Sequence, residues 1–164
     1  MNSNTPHRLA LAAALVLAIG SVSAASPHFV KGPDASINNA GVVTVSWKEA
    51  GLGDNQNIAY IASALATARY QCVNRGGNCP AAANKQDVSG EVYAQGTFSS
   101  GRNGQISASL NILPPASTLV CPGNQRVALV SVNYWDIALA DTTNNVVALA
   151  DPSELGISNP ECPG

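Results

Sequence analysis

The side chains that could do chemistry in this sequence are carboxylates rather than histidines. Beyond the N-terminal segment the only histidine is His28, and acyl-transfer triads need a histidine to move the proton. A glycosidase needs two facing carboxylates. The acids available for that role are Glu49, Asp54, Glu91, Asp136 and Asp141. Their places at strand ends and turns are typical of a solvated surface.

One catalytic hypothesis nevertheless follows from these acids. Glu49, Glu91 and Asp136 lie near aromatic residues in the sequence, which allows a small extracellular hydrolase that uses carboxylates. We treat this hydrolase as the alternative function and predict no catalytic residues.

The loop from Gly53 to Asn57 offers oxygen ligands of the kind that Ca²⁺ prefers. Its candidate ligands are Asp54, Asn55 and Asn57. A single carboxylate is few for a calcium site, and Asn and Asp are ordinary turn formers. We therefore keep calcium as a candidate metal for this loop and predict no cofactor.

Two features indicate binding rather than catalysis. The loop Val73–Pro80 is a candidate contact segment through Asn74, Arg75 and Asn78, because loops on a rigid scaffold commonly carry function. Aromatic side chains could also supply a stacking platform; they are Trp47, Tyr60, Tyr70, Tyr93, Tyr134 and Trp135. Most of these are expected in the core, and Trp135 is the one we select as a binding residue.

The preferred function is accordingly a secreted, non-catalytic binding module for an extracellular glycan or protein. The first residues predict export: a polar start with Arg8 precedes an apolar run from Leu9 to Gly20, shorter than the ~20 residues of a membrane-spanning helix. Val22 and Ala24 satisfy the small-residue rule for signal-peptide cleavage. We predict a signal peptide over residues 1–24, cut after Ala24 or else after Ala25.

Loss of the signal peptide makes the remaining chain more acidic. Of eight Lys and Arg residues Arg8 is lost, while all ten Asp and Glu residues stay, so the formal charge becomes 7 − 10 = −3. Nucleic acid and anionic membranes are poor partners for such a chain.

The four cysteines predict disulfides, because an even number in an exported chain argues against free thiols. Zinc is disfavoured by the spacing of Cys72 and Cys79, and because His28 is the only histidine beyond the N-terminal segment. Three connectivities are open, and we favour Cys72 with Cys121 and Cys79 with Cys162. The alternative that joins Cys72 to Cys79 would close only a short loop, and longer loops stabilise more in the chain-entropy model.

The elements that must position these residues are strands, since the apolar period is mostly two. Val43, Val45 and Trp47 share one face, after a turn at 38–41. The runs 88–98 and 106–112 also alternate, and Asn103-Gly104 between them predicts that they pair as a hairpin.

Three further segments complete the expected fold. Residues 127–139 are apolar on both faces, which predicts a central strand pair covered on both sides. A turn at 141–145 leads into a strand over 146–150. Residues 58–70 fit an Ala-rich helix or a strand, and we favour the strand.

Together these elements predict a single all-β domain over residues 25–150, a two-sheet sandwich of immunoglobulin-like or jelly-roll type with two disulfides. A barrel is the alternative. Residues 151–164 contain three prolines and predict an irregular arm tied down by Cys162.

Four short motifs are spread along the sequence: Glu49-Ala50-Gly51-Leu52-Gly53, Cys72-Val73-Asn74 with Gly76-Gly77, Cys121-Pro122 with Gln125, and Asp141-Thr142-Thr143. In these motifs the sequence resembles a group of small, uncharacterised secreted microbial proteins. The resemblance spans roughly residues 34–150. The resemblance implies an exported single domain and assigns no activity or site residues.

Overall fold

The computed structural model describes residues 26–80 and 84–158. The predicted signal peptide, its cleavage sites and Cys162 lie outside these residues. The described chain is all-β. In chain order its strands are β1 His28–Ile37, β2 Val43–Ala50, β3 Asn57–Val73, β4 Lys85–Ser99, β5 Gln105–Ile112, β6 Arg126–Asp141, β7 Val146–Leu149 and β8 Leu155–Ser158.

The strands form two separate antiparallel sheets rather than a barrel. The first has the order β1-β2-β5, and the second the order β4-β3-β6-β7 with β8 also paired to β6. The inner faces of both sheets contribute to one hydrophobic core. Within that core the rings of Trp47 and Tyr60 contact each other, and both contact the partly buried ring of Phe98.

The alternating pattern of β2 is confirmed, with Val43, Val45 and Trp47 all buried. The Ala-rich segment is a strand, as we favoured. β3 buries every second residue from Ile58 to Ala68, since alanines on the inner face leave room for the larger side chains of the facing sheet.

The predicted hairpin between residues 88–98 and 106–112 is wrong. β4 pairs with β3 along its whole length, whereas β5 pairs with β2 in the other sheet. Asn103 ends a short 3-10 helix, Gly101–Asn103, and the chain here crosses from one sheet to the other. Ser100 fixes the crossing, because its buried hydroxyl donates to Gly53 O at 2.6 Å and accepts from Gln56 N at 2.9 Å.

The expected doubly covered strand pair at 127–139 is also wrong, because these residues form the single strand β6. A β-bulge explains the misleading pattern. Asp136 has φ of 52°, and the register with β3 shifts between Ser63 and Leu65. The extra residue reverses the alternation, so Ile137 and Leu139 join Val132 and Tyr134 on the inner face.

The ends of the domain confirm one prediction and correct another. The disulfide Cys72–Cys121 is present, with a Cα–Cα distance of 5.5 Å. The pairing of Cys79 with Cys162 involves a residue outside the described chain and stays a prediction. Residues 155–158, expected in an irregular arm, form β8 because their backbone completes the edge of β6.

Candidate binding surface

The outer face of the five-stranded sheet displays several large apolar side chains. Tyr93 is 65% exposed, Leu65 51% and Trp135 38%, and Val147 and Leu149 are also exposed. With the half-buried Ile61, these side chains define what we call the outer apolar face. The outer face of the three-stranded sheet differs, since its side chains are polar: Thr44, Ser46, Lys48, Ser107, Ser109 and Asn111.

Strand register makes the outer apolar face continuous. Leu65 of β3 lies opposite Trp135 of β6, so their backbones are about 5 Å apart. One step along, Ser63 lies between Tyr93 and Ala138, and Ala138 faces Leu149. Residues opposite each other in a sheet share a face, and the apolar surface therefore crosses four strands.

The bulge in β6 positions Trp135. It lies between the inward-facing Tyr134 and the bulged residue Asp136, and it borders a shallow depression of about 220 Å³ with Glu154 and Gly156. Tyr134 is held inward because its hydroxyl donates to Gly41 O at 2.7 Å. Trp135 is thus displayed on a strand that is fixed from the inside.

The aromatic residues considered for a stacking platform divide by face. Trp47, Tyr60 and Tyr134 are buried, and Tyr70 is partly buried with its hydroxyl bonded to Pro115 O at 2.6 Å. Trp135 and Tyr93 remain on the surface. Our expectation that most of these aromatics fill the core agrees with their burial.

The loop predicted for contacts is exposed but lies far from Trp135. Asn74 and Asn78 are linked through their backbones, Asn74 N to Asn78 O at 3.1 Å, and Gln125 donates to the Asn74 side chain at 3.2 Å. Arg75 is exposed. The loop begins directly after Val73, which pairs with Arg126 at the start of β6. Trp135 lies nine residues further along β6, a distance of roughly 30 Å. The sequence-selected binding residues therefore do not form one site.

The calcium candidates lie in an exposed turn whose groups make local hydrogen bonds. Asn55 has φ of 53°, and the Gln56 side chain donates to Asp54 O at 2.9 Å. Asn57 begins β3. No cluster of three or more His, Cys, Asp or Glu suited to a metal occurs among the described residues.

A pair of buried acids joins the two sheets. Glu49 of β2 and Asp141 of β6 are both inaccessible to solvent. Tyr60 donates to Glu49 Oε2 at 2.7 Å, while Oε1 has no hydrogen-bond partner. Burial raises the pKa of Glu49, and the neighbouring Asp141 carboxyl raises it further, against the opposing effect of Tyr60.

Asp141 is also the anchor of the β6–β7 turn. Its oxygens accept from Thr143 N at 2.8 Å and Asn144 N at 2.9 Å, and from the Asn144 side chain at 2.6 Å. These contacts explain why the turn at 141–145 forms where the sequence predicts it. The acid pair is enclosed, so it supports the fold and does not face a ligand.

The three acids of the hydrolase hypothesis do not converge. Glu49 lies between the sheets, whereas Glu91 is exposed on the outer face of β4. Asp136 is exposed in the β6 bulge. Glu91 and Asp136 flank the outer apolar face, and the whole thickness of the second sheet separates them from Glu49.

Sequence reasoning missed Leu65, Val147 and Leu149 as surface residues. For β3 the signal was available, since Leu65 is out of phase with the alanines that alternate along the buried face.

No helix of the described residues is long and apolar enough to cross a membrane. Comparisons with protein-family models, curated proteins and solved structures found no match.

Proposed function

We propose that this protein is a secreted, non-catalytic binding module with a sandwich of immunoglobulin-like or jelly-roll type, and that it engages an extracellular glycan or protein. The outer apolar face carries this proposal. Large exposed apolar patches on soluble proteins commonly mark interaction sites, and here the patch contains a tryptophan and a tyrosine, which contribute strongly to binding energy.

The rigidity of the sheet under this face also supports the proposal. Its central side chains, Leu65 and Trp135, project from paired strands whose other faces are packed into the core. A surface held in this way loses little conformational entropy on binding. The hydrolase alternative gains no comparable support, because Glu49 is buried between the sheets while Glu91 and Asp136 are exposed on the outside of the second sheet.

The experiment combines a glycan array with affinity capture from the extracellular material that surrounds the protein in its native setting. Wild type is compared with Leu65→Ser/Trp135→Ser, and with Leu113→Ser as a matched control. Leu113 is 64% exposed but lies beyond β5. We expect the double variant to bind the captured ligand at least about thirtyfold more weakly and the control to bind like wild type.

Circular dichroism and urea unfolding establish that each variant is folded. If the double variant does not fold, Tyr93→Ser provides the test, since Tyr93 is the more exposed of the two aromatic side chains of the face. Empty results from both the array and the capture, or equal binding by wild type and the surface variants, would refute the proposal.

A further inference from the structure

We infer that the outer apolar face receives a basic protein or peptide, with aliphatic side chains at its centre and lysine or arginine at its edges. This inference rests on the proposed function and adds the chemistry of the partner. It comes from the charges that surround the face.

Carboxylates border the central row of the face on both sides. Glu91 of β4 lies opposite Leu65, so it stands one strand away from the apolar centre. Across the sheet, Glu154 lines the depression beside Trp135, and the exposed Asp136 follows Trp135 in the bulge. We call these three residues the acidic rim.

No cation of the described chain neutralises the acidic rim. The basic residue nearest in register is Arg69, which is two alternations along β3 from Leu65. Its guanidinium is bound to Asp87, with Nε–Oδ1 at 2.8 Å and Nη2–Oδ2 at 3.1 Å. The ion pairs found among the described residues, Lys31–Asp34 and Arg69–Asp87, do not include the rim. A partner can therefore supply the missing positive charges.

The rim discriminates between possible occupants. A second copy docking by the same face would bring two acidic rims together, and like-charge contacts oppose association. An anionic membrane or nucleic acid meets the same repulsion. A neutral glycan could stack on Trp135 and Tyr93 but would not use Leu65, Val147 and Leu149. A basic partner with aliphatic side chains contacts both the apolar residues and the acidic rim. A cation over Trp135 also gains a cation–π contact.

The test uses a short labelled peptide of alternating leucine and lysine. Two matched peptides replace leucine by serine or lysine by glutamate. Binding to the mature protein is measured by fluorescence anisotropy across a salt series. We expect the leucine–lysine peptide to bind, both matched peptides to bind at least tenfold more weakly, and the affinity to fall as salt rises.

Variants separate the charge effect from the apolar effect. Glu91→Gln/Glu154→Gln should weaken peptide binding about fivefold at low salt and flatten the salt dependence. The control Asp34→Asn/Asp54→Asn removes the same net charge away from the face and should have no effect. Trp135→Ser should weaken binding more strongly and leave the salt dependence in place.

Each outcome decides between the two proposals. Equal binding of the leucine–glutamate peptide, or equal loss in the two neutralised variants, would overturn the basic partner while leaving the binding face intact. A dimer in sedimentation that Trp135→Ser dissolves would overturn it in favour of a second copy. Peptide binding that neither the rim variants nor Trp135→Ser change would count against the face itself.

Discussion

Replacing Glu49 by glutamine removes an ionisable group from between the two sheets and nearly preserves its shape. In wild type, Oε2 accepts from Tyr60, and Oε1 is buried without a partner. A proton on Oε1 turns it into a donor that can meet the neighbouring Asp141. The glutamine amide makes the same two contacts permanently, so Glu49→Gln imitates the protonated acid.

The pH dependence follows from the direction of the pKa shift. The pKa of Glu49 is raised above its ordinary value of 4.5, first by burial and then by Asp141. The folded protein therefore holds this proton more tightly than the unfolded chain does. Its contribution to stability is complete below pH 4.5 and is lost as the pH rises through the folded-state pKa.

The slope of this loss is set by one proton. Between pH 4.5 and the folded-state pKa, the free energy of unfolding of wild type should fall relative to Glu49→Gln by about 1.4 kcal/mol per pH unit. Outside that window the difference should be constant. Tyr60→Phe removes the hydrogen bond that lowers the pKa of Glu49, and it should extend the window to higher pH.

The assay is urea unfolding at a series of pH values with the disulfide intact, followed by tryptophan fluorescence. Glu91→Gln is the matched control, because it makes the same substitution at an exposed strand position. If the free energies of unfolding of wild type and Glu49→Gln differ by a constant amount at every pH, Glu49 titrates normally. The reasoning from burial would then be refuted.

Two further stability predictions use the same urea assay at fixed pH. Ser100→Ala leaves the backbone N–H of Gln56 without its acceptor, and we expect the free energy of unfolding to fall by about 1–3 kcal/mol. Ser99→Ala, at an exposed neighbouring position, should have no effect; equal effects would contradict the role of Ser100 in the crossing. Gly41→Ala places a Cβ 2.7 Å from Leu129 Cδ2, at a residue with φ of 79°. We expect it to lower the free energy of unfolding by about 1–3 kcal/mol. Gly123→Ala is the control and should cost less, because Gly123 also has a positive φ but open space around it.

Individual strands were predictable because their patterns are local. Each inner position of β2 and β3 must fill the core, so period two is written directly in residues such as Val43, Val45 and Trp47. The hairpin at β6–β7 was predictable for a similar reason, since Asp141 needs only the next three residues to cap its turn.

Strand partners were not predictable from the same patterns. An Asn-Gly pair permits a tight turn, but it does not fix which sheet the chain enters next. Here Ser100 and Gly53, which are distant in sequence, hold the crossing. The bulge at Asp136 likewise could not be predicted from the local pattern of β6. One extra residue there exchanges the inward-facing and outward-facing positions of the rest of the strand.

The position of Glu49 was predicted wrongly from its residue type, although the periodicity of β2 predicts it correctly. Acids usually lie on the surface, and we placed Glu49 among the surface acids. It nevertheless continues the buried alternation of Val43, Val45 and Trp47. The alternation places Glu49 inside, and only a partner such as Tyr60 makes that position tolerable.

Glu49, Asp141, Asn74 and Gln125, which lie in the sequence motifs described above, make structural contacts away from the outer apolar face. Glu49 approaches Asp141 between the sheets, and at the other end of the domain Asn74 receives a hydrogen bond from Gln125 beside the disulfide Cys72–Cys121. Each contact joins two motifs that are distant in sequence. Leu65, Tyr93 and Trp135 lie outside the motifs, and their exposed side chains do not contribute to the core. We expect substitutions there to leave the fold intact, and on the binding proposal they should change what the protein binds.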